Sequence, residues 1–278
     1  MAIPAELLED LGSLQEPPES TLRLVGAAAD QTTSSGEVAD ILRTDPAVSY
    51  RILSVANAEE GTDLPPVATA REAVLRLGVI TVLHVAFESH LGLLRSAAPA
   101  YNLSKYEMWL HATGAALATR EMIKQRSSLE VPRIAPLASL LHDVGKYLIA
   151  NRYRGERHEL MKECAASRIS PVEAERALFG CDHAEIGSAI ALRWRLGKDI
   201  AQAIALHHAS AVAHPTPLTD AVVVANLIAN SPPLAGYPGE SDPGYGLGSL
   251  ERLGISAEEL RLLCARTGAA LAQWKRAR

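Results

Sequence analysis

Along most of the chain, apolar residues recur at steps of three and four, and no alternating apolar–polar run is long enough to build a sheet. The pattern predicts helices almost throughout. A short one precedes the turn at QEPPES, and a second runs near Thr21 to Ala29. In TTSSGEVADILRT, Ser35 is the expected helix cap. In TDPAVSYRILSVANA, Asp45 can cap while Pro46 takes the first helical position, where its missing N–H costs nothing. TAREAVLRLGVITVLHVAFESHLGLL reads as two helices, with Gly78 ending the first, and RSAAPAYNLS reads as a connection between lobes. From Lys105 the helices lengthen: YEMWLHATGAALATREMIKQ, APLASLLHDVGKYLIANRY, PVEAERALFG, DHAEIGSAIALRWRL, KDIAQAIALHHA and LTDAVVVANLIAN. SPPLAGYPGESDPGYGLGS, dense in Gly and Pro, reads as a loop. SAEELRLLCARTGAALAQWKRA closes the chain as an amphipathic helix, with Ser256 and Glu259 spaced as a capping box.

Composition narrows the picture. Hydrophobic residues make up 48% of the 278 positions and aromatics only 4%, which favours closely packed small-faced helices over an aromatic-rich sandwich. The formal charge of -5 gives no global basic field, so direct nucleic-acid binding is not expected. The terminal WKRAR reads as a solvated helix end. Cys164, Cys181 and Cys264 form no CxxC pair and read as thiols of a reducing cytosol. MAIPAELLEDLG lacks the basic-then-apolar order of a secretory leader, and VITVLHVAF is too short to span a bilayer. A cytoplasmic protein with no membrane segment is the expectation.

The candidate chemistry lies in the helical phase of the histidines. His183 shares a stripe with Ile186, Gly187, Ile190 and Trp194, and His207 shares one with Ile200, Ala203 and Ile204. His208, one step on, points about 100° away. His111 lies along Gly114, Ala115 and Ala118, a small-residue strip that admits a close neighbour helix. His142 lines up with Ala138, Gly145 and Ile149, with Asp143 beside it. A single histidine on an apolar face is more often a hydrogen-bonded core residue than a ligand. Several on separate helices of one bundle can converge on a metal, and imidazole with carboxylate suits iron, manganese, zinc or nickel. His84, His90, His158 and His214 lack this context and read as structural or surface residues.

Taken in order, DPAVSYRILSVANA, AREAVLRLGVITVLHVAF, WLHATGAALA, LASLLHDVGK, AERALFGCDHAEIGSAIALRWRL, IAQAIALHHA and VVVANLIAN resemble the HDOD family, the HD-related output domains of bacterial signalling proteins. The resemblance covers roughly residues 15 to 230. It implies an all-α, two-lobed helical bundle: an N-terminal helical lobe over residues 1–100, an HD-domain-like lobe over 101–230, and a Gly/Pro-rich loop with a C-terminal helix over 231–278. Carried over from active HD enzymes, His111 matches the first histidine, His142 and Asp143 the HD pair, and Lys146 the lysine that meets the phosphate. His183 and His207 match the later histidines of two-metal relatives. The departure is Asn226, which stands where active enzymes carry a metal-binding aspartate. An amide supplies no charge, so the site loses one anionic ligand. Asp220, six residues earlier, points about 120° away and is no replacement. Gly236 to Pro238 spell GYP, but beyond the ANLIAN helix rather than directly after the histidine pair, so cleavage of cyclic di-GMP is not expected.

The function implied is a regulatory protein acting through contacts with signalling or regulatory proteins, its HD-type site degenerate. The alternative is a metal-dependent phosphohydrolase acting on a nucleotide or other phosphorylated ligand, with Lys146 stabilising phosphoryl oxygens and a divalent cation (iron, manganese, zinc, nickel or magnesium) activating water.

Overall fold

Side-chain caps decide where several helices begin. The protein is described by a computed structural model covering residues 3–30, 32–57, 65–91, 101, 105–125, 131–153, 164, 167, 169–209, 215–231 and 244–276. After α1 (Ala5–Ser13) and α2 (Glu19–Ala29), α3 (Ser35–Arg43) starts from a capping box of Ser34 and Glu37. The cap is therefore one residue earlier than the sequence suggested: Ser35 is already helical, and Glu37 stands three residues beyond Ser34. The carboxylate of Asp45 accepts from Val48 N (3.1 Å) at the start of α4 (Pro46–Asn57), and Thr69 with Glu72 boxes α5 (Ala70–Leu77). Gly78, at φ +76°, turns the chain directly into α6 (Val79–Leu91). Among the described residues these helices interlock through Leu24, Leu42, Ile52, Leu83 and Phe87, all fully buried. Each such side chain contributes about 1.5–3 kcal/mol by leaving water.

α7 (Lys105–Gln125) is the longest element, about 30 Å from end to end. Against it pack α8 (Ala135–Leu141), α13 (Pro217–Ala229) and α15 (Ala257–Arg276). The small-residue strip on α7 works as expected. A Cβ on Gly114 would meet Ala229 Cβ at 3.7 Å and Leu271 Cδ2 at 3.9 Å, ordinary contacts from two helices at once. α9 (Val144–Arg152) crosses α11 (His183–Arg193) more tightly still. A Cβ on Gly145 would overlap the carbonyl oxygen of His183 and lie 2.8 Å from Gly187 N. α10 (Pro171–Phe179) leads into α11 through Gly180 at φ +76°, and α12 (Lys198–Leu206) packs along α11.

Two further sequence expectations are corrected here. The stretch APLASLLHDVGKYLIANRY is not one helix: α8 stops at Leu141, His142 and Asp143 form a turn, and α9 starts at Val144. The periodicity of the two halves is close enough in phase to hide the break. Part of the Gly/Pro-rich stretch is helical, as α14 (Leu247–Arg252), pinned to α13 by Asp220. Asp220 accepts from Ser249 Oγ (2.7 Å) and from Arg252 Nη2 (2.6 Å). The connection expected over RSAAPAYNLS, residues 95–104, lies outside the described residues apart from Tyr101, as do His158, His214 and the GYP triplet at 236–238. No strand occurs among the described residues, and one hydrophobic core runs from Leu7 to Trp274. The fold is all-α. No helix among them is long and apolar enough to cross a membrane.

Candidate metal centre

Two helix breaks build the centre. On a continuous helix, consecutive side chains diverge by about 100°. At His142 and Asp143 the helix has ended, and Asp143 sits at φ -99°, ψ 9°, between the regular regions. Asp143 occupies the capping position of α9, yet its carboxylate makes no cap bond. It turns instead into the interior and accepts from Lys146 Nζ at 2.7 Å. The second break follows α12. His207 and His208 lie in the turn after Leu206 rather than on the helix.

Around Asp143 the imidazoles gather. His111 Nε2 and His142 Nε2 each lie 3.5 Å from Oδ2, and 3.1 Å from one another. His183 Nε2 lies 3.1 Å and His207 Nε2 3.7 Å from Oδ1. His208 Nε2 is 2.8 Å from His183 Nε2. The donor atoms thus form two groups sharing one carboxylate: His111, His142 and Asp143; and Asp143, His183, His207 and His208. Atoms within each group all lie within 4.8 Å of one another.

The far sides of three rings determine what the near sides can do. His142 Nδ1 donates to Ser139 O and His207 Nδ1 to Ile204 O, both at 2.6 Å. His183 Nδ1 donates to the buried Glu175 carboxylate at 2.7 Å. With the proton held on Nδ1, a neutral ring presents its Nε2 lone pair to the centre, the arrangement that orients histidine ligands on a metal. Burial pushes His111 down to about 3 and His142 to about 4, and it also lowers His207 and His208, so all four are neutral at physiological pH. His183 is the exception. Burial would lower it too, but the Glu175 carboxylate lifts it to about 9. Burial likewise disfavours the Asp143 carboxylate, yet His142 and Lys146 beside it hold it well below its ordinary range. Without a metal, the His183 imidazolium and the Lys146 ammonium balance Glu175 and Asp143. Convergent lone pairs around one carboxylate are a donor set that fits a divalent transition metal.

All five residues expected as ligands, His111, His142, Asp143, His183 and His207, are brought to this one place, with Lys146 against them. Asn226, on α13, hydrogen-bonds His111. Its amide donates to Tyr245 Oη (2.9 Å), its oxygen accepts from Asn230 (3.0 Å), and Tyr245 Oη donates to His207 O (2.8 Å). Asp220 is engaged with Ser249 and Arg252, as its phase implied. Sequence reasoning missed three residues. His208 was set aside by helical phase, which ceases to apply once α12 has ended. Glu175 was detectable, because it interrupts a buried stripe formed with Val172 and Phe179. Tyr245 carried no signal within its glycine-rich surroundings. Of the other histidines, His84 stacks on Trp274 (4.8 Å) and His90 bonds Gln15 O (3.2 Å), both structural roles.

The model of the HDOD domain matches residues 14–210, which is most of the chain. The chain belongs to the HDOD family. An HDOD domain protein from Geobacter sulfurreducens is 25% identical, with a TM-score of 0.72, covering 97% of this chain and 94% of that one. A candidate phosphohydrolase from Shewanella amazonensis SB2B shares the fold at 23% identity and a TM-score of 0.69, over 98% and 97% of the two chains. An uncharacterized protein of Treponema pallidum (strain Nichols) is 20% identical over 225 residues, 80% of this chain and 43% of the relative. This HDOD chain therefore spans less than half the length of that curated relative.

Proposed function

We propose that this HDOD chain is a bacterial, cytoplasmic signal-transduction protein acting through contacts with signalling or regulatory proteins. In this reading residues 1–100 form a helical lobe against the HD-like lobe of 101–230, and the His/Asp centre binds a divalent cation without turning over phosphate esters. The observation that carries the reading is Asn226. A carboxylate at this position would bring anionic charge to the metal, whereas the amide is engaged by Tyr245, Asn230 and His111. His111, His142, Asp143, His183, His207 and His208 would hold the cation. When bound, it would supply Lewis acidity. The chain's own groups orient the donors, hold a proton on His183, and keep Lys146 on Asp143 rather than open to a ligand.

The test pairs metal analysis of the purified protein with a hydrolysis screen over nucleotides and p-nitrophenyl phosphate, in manganese, iron, zinc, nickel and magnesium. Bound metal with no turnover above an Asp143→Ala control is the expected result. Turnover well above that control would favour the second reading, a metal-dependent phosphohydrolase. Two donor groups sharing Asp143 with Lys146 adjacent speak for it, as does the name of the Shewanella protein.

A further inference from the structure

Away from the His/Asp centre, a cavity of about 220 Å³ opens where α4, α5 and α6 meet α7 and α15. Arg76, Thr81, Arg120, Lys124, Gln273 and Trp274 line it. We infer that this cavity is a binding site for a small phosphate-bearing ligand. The inference does not depend on what the metal centre does.

Charge is the first observation. Three lining side chains are cations. Glu121, which does not line the cavity, sets one negative charge against them, at 3.1 Å from Lys124 Nζ and 3.6 Å from Arg120 Nε. Arg76 is anchored by its two terminal nitrogens, which donate to the carbonyl oxygens of Ala56 (3.2 Å) and Pro65 (2.6 Å), and the exposed Glu72 carboxylate one turn earlier on α5 sets a second negative charge against the group. Arg120 donates to Thr81 Oγ1 at 3.3 Å. Guanidinium forks and an ammonium together match an anion with several acceptor oxygens.

A second, independent observation is Trp274. It is 8% exposed, His84 covers one face of its ring, and the ring forms part of the cavity wall, so an anion held by the three cations would lie against an indole. Phosphate offers more acceptor oxygens than a carboxylate to serve guanidinium forks and ammonium together. The volume lies below the range of drug-sized sites, which limits the ligand to an inorganic ion or a compact ester.

The experiment is calorimetric titration of the full chain, in metal-free buffer, with inorganic phosphate and separately with glycerol 3-phosphate. Wild type and Asp143→Asn should bind at least one probe equally, which places binding away from the His/Asp centre. Lys124→Gln should weaken it about tenfold, the loss of one charge-assisted hydrogen bond. The Lys124 side chain is 58% exposed, so this variant keeps its fold. Tighter binding of inorganic phosphate would identify the free ion, and tighter binding of glycerol 3-phosphate an ester. Indole emission gives a second readout: a phosphate-induced change present in wild type should vanish in Trp274→Phe, whether or not Asp143→Asn folds. Absence of binding by both probes at millimolar concentration would overturn the proposal. So would binding that survives Lys124→Gln and Trp274→Phe unchanged.

Discussion

Glu175 is a buried carboxylate bonded to both the backbone N–H and the ring of His183, and its effect should be measurable as protons. The folded-state pKa of His183, about 9, lies above its ordinary 6.5. The stability this pair contributes is therefore fully present below the ordinary value and is lost as pH rises through the folded one. Glu175→Gln should melt lower than wild type at neutral pH, with the gap closing above about 9. In wild type, metal uptake at neutral pH should release the His183 proton, seen as a buffer-dependent heat in calorimetry; in Glu175→Gln that heat should disappear. Asn226→Asp makes a different demand. Tyr245 already gives its hydrogen to His207 O, so an aspartate at 226 would face the phenol oxygen with no proton between them. Melting in chelator should fall by roughly 5 °C, while manganese or iron should bind about tenfold more tightly. Equal metal affinity in variant and wild type would remove position 226 from the argument.

Elements carry the part of the site that sequence pattern could and could not reach. Stripes on α11 and α12 placed His183 and His207 inward, because each sits at a helix end still in phase with its buried face. The breaks at His142–Asp143 and His207–His208 were illegible. Neither contains Gly or Pro, and flanking apolar residues keep the three-and-four rhythm across the first of them. Tertiary packing supplies the breaks. α9 lies so close to α11 that residue 145 can have no side chain, and that crossing fixes where α9 begins. Gly145→Ala should consequently lower stability by about 1–3 kcal/mol and abolish stoichiometric metal loading. Gly114→Ala, whose new methyl meets neighbours at 3.7 and 3.9 Å, should be tolerated. Thermal denaturation and metal analysis of the two variants side by side would check the contrast. If Gly145→Ala melted like wild type, the crossing would not be the constraint described here.

Across the whole molecule, the centre draws side chains from four separate stretches: His111 on α7, the turn before α9, the first residue of α11, and the turn after α12. A cation bound there would tie all four in the native state and none in the unfolded chain. Chelation should therefore lower the melting temperature by roughly 5–10 °C, with the shift growing as the logarithm of free metal on reloading. A melting curve indifferent to chelator and metal would mean that no cation resides there.

The main-chain anchors of two of these rings bear on how the protein tolerates mutation. Ser139 and Ile204 hold His142 and His207 through carbonyl oxygens, which every amino acid possesses. No point substitution can delete those acceptors; it can only disturb the turns that carry them. Ser139→Ala even removes a buried hydroxyl that has no partner. Of the three rings anchored through Nδ1, His183 alone depends on a replaceable side chain, Glu175, for that anchor. Inheritance can therefore wear away the chemistry, at the donors or at position 226, long before it blurs the outline of the cage. A lineage could change occupation while keeping the same architecture.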